Sequence, residues 1–148
     1  MSISVAIVED LEDVREGLAA LVDAADGFAC AATFADAEAF LDALSPPRGG
    51  GLRLDVALMD IGLPGMSGIE AVRELTRRRS TVQAMMLTVY EDNDSVFEAL
   101  RAGATGYVLK TTPPDELLDA IRTLVAGGSP MSSGIARRVV EAFHRPPL

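Results

Sequence analysis

Val5-Ala6-Ile7-Val8-Glu9-Asp10 is the stretch from which the rest of the chain can be ordered: four small or β-branched apolar residues followed by two adjacent carboxylates. Four residues are too few for a helix, and apolar side chains at every position suit a parallel strand covered on both faces. Just beyond it, Val14, Leu18, Leu21, Val22 and Ala25 recur at helical spacing, with Gly27 as a stop. The same switch then repeats. Residues 28–34 read as a strand, and Ala37, Phe40, Leu41 and Leu44 mark a helix closed by Ser45-Pro46-Pro47. Residues 54–59 are followed by Ile69, Val72 and Leu75; residues 82–87 by Val96, Ala99 and Leu100 with Gly103 behind them; residues 107–109 by Leu117, Leu118, Ile121, Leu124 and Val125 with Gly127-Gly128 behind them. Parallel neighbours need crossovers of about a dozen residues, and these are right-handed, so five strand-then-helix units predict an α/β fold with a doubly wound five-stranded parallel sheet and helices on both faces. Segment 132–143, with Ile135, Val139 and Phe143 four residues apart, adds an extra C-terminal helix outside the repeat. The Pro- and Gly-rich stretch 46–53 reads as a surface loop.

Composition narrows the function. The chain has 148 residues, 49% of them hydrophobic, which is one ordinary domain's worth of core. A single cysteine, Cys30, excludes an internal disulfide and a thiolate-rich metal site, and a single histidine, His144, near the end of the chain, argues against a histidine-based triad and a multi-histidine metal site. No apolar run reaches the roughly 18 to 20 residues of a membrane span. The first residues lack the pattern of a secretory leader, so a cytoplasmic protein without membrane partners is expected. The formal net charge of −9 repels phosphate backbones, so no direct contact with nucleic acid is expected of these residues.

In an open parallel sheet, ligands bind beyond the carboxyl ends of the strands. Here the first strand runs into Glu9-Asp10, the third into Asp60, the fourth into Thr88 and the fifth into Lys110. Singly, an acidic residue after a strand reads as a helix cap, Thr88 as a strand end and Lys110 as a solvated charge. Together they place three carboxylates in one crevice. At about 5 Å and an effective dielectric near 20, each ionised pair costs roughly 3 kcal/mol, so a cation should offset them. An all-oxygen donor set with neither His nor Cys suits Mg²⁺ better than a transition metal.

The pieces Ile7-Val8-Glu9-Asp10, Leu58-Met59-Asp60 with Leu63-Pro64-Gly65-Met66-Ser67-Gly68, Leu87-Thr88 and Gly106-Tyr107-Val108-Leu109-Lys110 resemble, in this order, the receiver domain of bacterial two-component response regulators. Arg15-Glu16-Gly17-Leu18 and Ala102-Gly103-Ala104-Thr105-Gly106-Tyr107 resemble its LuxR/NarL-type subfamily. The resemblance implies a flavodoxin-like (CheY-like) sheet of order 2-1-3-4-5, with a receiver domain over residues 1–128. Residues 129–148 would then be a linker helix and tail leading to a helix-turn-helix output domain that these residues do not include. It implies that Asp60 is the phosphoacceptor for a sensor histidine kinase. Mg²⁺, with Mn²⁺ as a substitute, would be held by Glu9, Asp10, Asp60 and the backbone carbonyl of Gly62. Lys110 and Thr88 would stabilise the phosphoryl group, Thr88 and Tyr107 would form the switch, and Gly62, Val89 and Tyr90 would tune access and acyl-phosphate lifetime. The implied output is a homodimer formed on phosphorylation that controls transcription, with DNA touched only through the output domain; the alternative is a stand-alone receiver acting through protein contacts. On this reading the chain is a switch that promotes its own phosphorylation and dephosphorylation, not an enzyme acting on other substrates.

Departures from the family pattern are Thr111, where many receivers have proline after the lysine, and Val89, bulkier than the usual alanine and expected to narrow access to Asp60. Arg77-Arg78-Arg79 reads as a solvated helix end and Met85-Met86 as core filling. Two rivals are weaker. A dehalogenase-type phosphohydrolase wants an acid two residues after its nucleophile, where this chain has Gly62, and a nucleotide- or flavin-binding domain wants a glycine-rich phosphate loop that is missing.

Overall fold

The computed structural model describes residues 2–45 and 52–144. Five strands, β1 (Ile3–Val8), β2 (Phe28–Phe34), β3 (Val56–Met59), β4 (Gln83–Thr88) and β5 (Gly106–Leu109), pair in parallel in the order β2-β1-β3-β4-β5. Between and after them run α1 (Glu12–Ala24), α2 (Ala37–Leu44), α3 (Gly68–Arg77), α4 (Asn93–Ala102), α5 (Pro114–Val125) and α6 (Ser133–His144). The expected doubly wound sheet and its strand order are therefore present. Of the 46–53 loop, residues 46–51 lie outside the described residues, as does the tail 145–148.

Strand alternation sorts the core into two layers. Val5 and Ile7, Val56 and Leu58, Met85 and Leu87, and Val108 face α1 and α5, where Val22, Leu117, Ile121 and Leu124 meet them. Ala6 and Val8, Ala57 and Met59, Ala84 and Met86, and Tyr107 face the other helices, where Phe40, Val72, Val96 and Ile135 meet them. β1 and β2 slip register between Val5 and Ala6: Val5 pairs with Cys30 but Ala6 with Ala32, leaving Ala31 as a bulge.

Local chemistry starts and stops the helices. The side chains of Asp36, Ser67 and Asp92 accept hydrogen bonds from the N–H groups of Ala39, Glu70 and Ser95 at 2.7, 3.1 and 2.9 Å, caps that contribute about 1 kcal/mol each. Gly103, at φ 122°, ends α4 in a conformation that a side chain would strain.

Four expectations need correction. The third strand, expected over residues 54–59, begins only at Val56. Thr88 is the last residue of the β4 ladder, paired with Leu109, and not the first residue after it; Val82, expected in the strand, precedes it. Val125, assigned to the buried face of α5, is exposed at the last residue of the helix, where it lines an open hollow at the amino ends of β3 and β4. In α6 the apolar stripe is buried only at its start: Ile135 is in the core, Val139 is half-buried, and Phe143 is 83% exposed as the helix runs off the domain. The three arginines also divide: Arg77 and Arg78 both pair with Glu74, and Arg78 reaches the Leu41 carbonyl at 3.2 Å, tying α3 to α2.

Candidate functional site

β1 and β3 are adjacent inner strands, and the Asp60 N–H donates to the Val8 carbonyl at 3.1 Å, so the residues that follow both strands emerge side by side. Oxygen atoms of Glu9, Asp10 and Asp60 all lie within 4.8 Å of one another. Asp10 is exposed, whereas Glu9 and Asp60 are 2% and 7% exposed; with Thr88 they are the buried polar or charged side chains among the described residues.

Lys110, entering from the end of β5, pairs with both buried carboxylates: Nζ lies 2.9 Å from Asp60 Oδ2 and contacts Glu9 Oε1. The other Asp60 oxygen, Oδ1, accepts from the Ile61 N–H at 2.8 Å, and Glu9 Oε2 accepts from the Leu11 N–H at 3.2 Å. Burial pushes the Glu9 carboxyl above its ordinary range, although Lys110 and the Leu11 N–H favour its ionised form. For Lys110 burial alone would lower the pKa, but the contacts with Glu9 and Asp60 outweigh it and the net direction is up. The ammonium therefore stays charged. One ammonium against three carboxylates leaves two negative charges uncompensated when all three are ionised. That is the charge of a divalent cation, and the all-oxygen donors with one open, exposed member suit a hard ion that keeps part of its water shell.

Thr88 is fully buried, and its Oγ1 accepts from the Tyr90 N–H at 3.4 Å. Tyr107 is fully buried as well, with its hydroxyl donating to the Tyr90 carbonyl at 2.8 Å; burial, then the nearby charges of Asp92 and Asp60, push its phenol pKa up. Gly62 is exposed in the loop after Asp60, and Tyr90 lies over it: a methyl group added at Gly62 would sit 3.0 Å from the Tyr90 hydroxyl. Val89, expected to narrow access to Asp60, is 65% exposed and the residue over the loop is Tyr90, because the chain turns outward directly after the buried Thr88.

Some contacts had no sequence signal. The Lys110–Glu9 pair is one, since the resemblance assigns Lys110 to the phosphoryl group and not to Glu9. Arg15 donates to the backbone carbonyls of Glu9 and Asp10 at 2.9 and 3.4 Å, tying down the loop before α1, whose N-cap residue Leu11 has no capping side chain. Glu38 on α2 accepts from the Met66 N–H at 3.1 Å, bracing the loop that follows Asp60, and its carboxylate fills the space where a side chain on Gly65 would stand. Gly65, at φ 73°, is the one part of that brace visible in the sequence.

Residues 5–122 match the response regulator receiver domain family. Response regulator UvrY of Escherichia coli K12 is 34% identical over 93% of this chain and 61% of its own length; transcriptional regulatory protein LiaR of Bacillus subtilis is 35% identical over 96% of this chain and 65% of its own length. The chain thus spans about three fifths of the length of these curated relatives. The crystal structure of a LuxR-family two-component response regulator from Aurantimonas sp. SI85-9A1 superposes with a TM-score of 0.83 at 32% identity, covering 98% of this chain and all of that one. The chain belongs to the response regulator receiver domain family, among two-component signalling proteins of the LuxR type.

Proposed function

We propose that this chain is a phosphorylation-operated switch in which Asp60 takes a phosphoryl group from the phosphohistidine of a sensor histidine kinase. The observation that carries the reading is the position of Lys110, held between buried Asp60 and Glu9 with the Asp10 carboxylate beside them. An Asp60 oxygen forms the new O–P bond as the P–N bond breaks and the imidazole leaves with the electron pair. No separate base is needed, because the nucleophile is a carboxylate oxygen and not a hydroxyl or thiol that must first give up a proton. Lys110 moves from carboxylate partner to partner of a phosphoryl oxygen, and the buried Thr88 hydroxyl offers a second donor. Asp10, Asp60, the Gly62 carbonyl and Glu9, the last through water, would hold Mg²⁺ or Mn²⁺. When bound, the ion neutralises charge on the phosphoryl oxygens in a loose, in-line transfer. Everything else this site contributes is positioning and electrostatics.

The proposed output is homodimerisation that controls transcription through a DNA-binding domain outside these residues; the regulatory names and greater lengths of UvrY and LiaR support it. The test is incubation with Mg²⁺ and a small acyl phosphate, read by intact mass. A single labile phosphoryl adduct is expected, and its persistence in Asp60→Asn would defeat the assignment. Sedimentation with Mg²⁺ and beryllofluoride reads the output, where an unchanged profile would count against dimerisation.

A further inference from the structure

β5 is an edge strand, so half of its backbone polar groups face away from β4 and need partners. Residues 130–132 supply them. The Tyr107 N–H donates to the Pro130 carbonyl at 2.9 Å, the Ser132 N–H donates to the Tyr107 carbonyl at 3.1 Å, and the Leu109 N–H donates to Ser132 Oγ at 3.0 Å. The same segment is anchored beyond these bonds. Ile135 on α6 is fully buried in the layer that also holds Tyr107, and Arg138 donates to Asn93 Oδ1 on α4 at 3.0 Å. Pro130 packs against Gly106, where an added methyl would meet its ring at 3.2 Å.

Tyr107 is therefore gripped by its backbone from outside the sheet while its side chain reaches inward to the site. Its hydroxyl holds the Tyr90 carbonyl, and the Tyr90 ring lies over Gly62, two residues from Asp60. We propose that residues 129–144 are a strap that fixes Tyr107 and, through it, holds the loop between β4 and α4 over Asp60, so that loosening the strap opens the approach to that carboxylate. The consequence at Asp60 rests on the phosphoacceptor reading; the grip on Tyr107 does not. The coupling runs through a continuous series of packed and hydrogen-bonded groups, and the side chains that seat the strap, Ile135, Ser132 and Arg138, are links that a substitution can cut.

The chain has two tyrosines and no tryptophan, so in a Tyr90→Phe background Tyr107 is the sole source of aromatic emission near 305 nm and its burial can be read by acrylamide quenching. Tyr90→Phe leaves in place the backbone carbonyl that Tyr107 holds. Ile135→Ala, and separately the pair Ser132→Ala and Arg138→Ala, should shift quenching from that of a buried ring toward that of free tyrosine, with far-UV circular dichroism reporting that the domain stays folded. The same strap substitutions made with Tyr90 intact should raise the rate of adduct formation from the acyl phosphate by about fivefold or more, the ordinary lower range for coupling between two sites. Quenching unchanged in both strap variants would overturn the proposal, and so would raised quenching with adduct formation at the parent rate. If no version of the protein forms an adduct, the phosphoacceptor reading falls, and quenching alone decides whether the strap grips Tyr107.

Discussion

The two ends of the sheet differ in a way that cavity size would misjudge. At the amino ends of β3 and β4, Arg79, Ser80, Thr81, Val82 and Gln83 line two open hollows of about 420 and 640 Å³. At the carboxyl ends a hollow of about 470 Å³ opens between α1 and α5 beside Leu87 and Lys110, but what sets this end apart is convergence: Glu9, Asp60 and Thr88 are buried there, and Lys110 is drawn in by two opposite charges. Burying charge is expensive unless it is paired, so such a cluster marks where the fold gives up stability for chemistry. The amino end has space without convergence.

Substitutions at the two ends should separate accordingly. The largest expected effect is loss of the adduct in Asp60→Asn, seen by intact mass; retention would mean that the carboxyl end is not the reactive one. Next, Gly68→Ala should destabilise the fold by about 3 kcal/mol in urea unfolding, because overpacking of a closed site has no easy relief. Its added methyl would lie 1.9 Å from the Asp60 carbonyl oxygen. Stability equal to the parent would show that the loop after Asp60 is looser than its packing indicates. Mg²⁺ at ten times its dissociation constant should add about 1.4 kcal/mol and raise Tm by about 3–5 °C, and Asp10→Asn should remove most of that rise. A rise of equal size in Asp10→Asn would place the ion elsewhere.

The buried phenol gives a smaller, pH-dependent effect. Burial raises the Tyr107 pKa in the folded state, so its stabilising contribution is complete below the ordinary phenol value near 10 and is lost as pH rises beyond it, with a limiting slope of about 1.4 kcal/mol per pH unit. Urea unfolding from pH 8 to 11 should show a steeper decline in the parent than in Tyr107→Phe; parallel curves would mean that Tyr107 ionises equally in both states. Smallest of all, Thr81→Ala at the amino end should change stability by less than about 0.5 kcal/mol and leave adduct formation untouched. A marked loss of adduct there would collapse the distinction between the ends.

What the sequence made legible follows the same division. Glu9, Asp10, Asp60 and Lys110 were readable because each interrupts or ends an apolar run, and parallel topology then brings the run ends to one side. Thr88 was readable by position, although its place inside the ladder was not. The Lys110–Glu9 pair, the Arg15 clamp and the Glu38 brace depend on side-chain reach across elements far apart in sequence, which no periodicity encodes. The attachment of residues 130–132 to β5 was invisible for a different reason: it is made mainly by backbone groups, and these are the same in every residue but proline. Periodicity identified α6, but only the three-dimensional position of its axis tells that Ile135 is covered and Phe143 is not.

The extra residue in β2 has a consequence for how so thin a domain is filled. Phe28 and Phe34 are six residues apart, so an unbroken strand would turn both rings to the same side; with Ala31 interposed, Phe28 joins the layer beneath α1 and α5, while Phe34 crosses to the opposite layer and meets Phe40 edge-on at 5.6 Å. A single outer strand thereby supplies an aromatic wedge to each half of the sandwich, and shortening it by one residue would leave one half with a void and the other with a surplus ring.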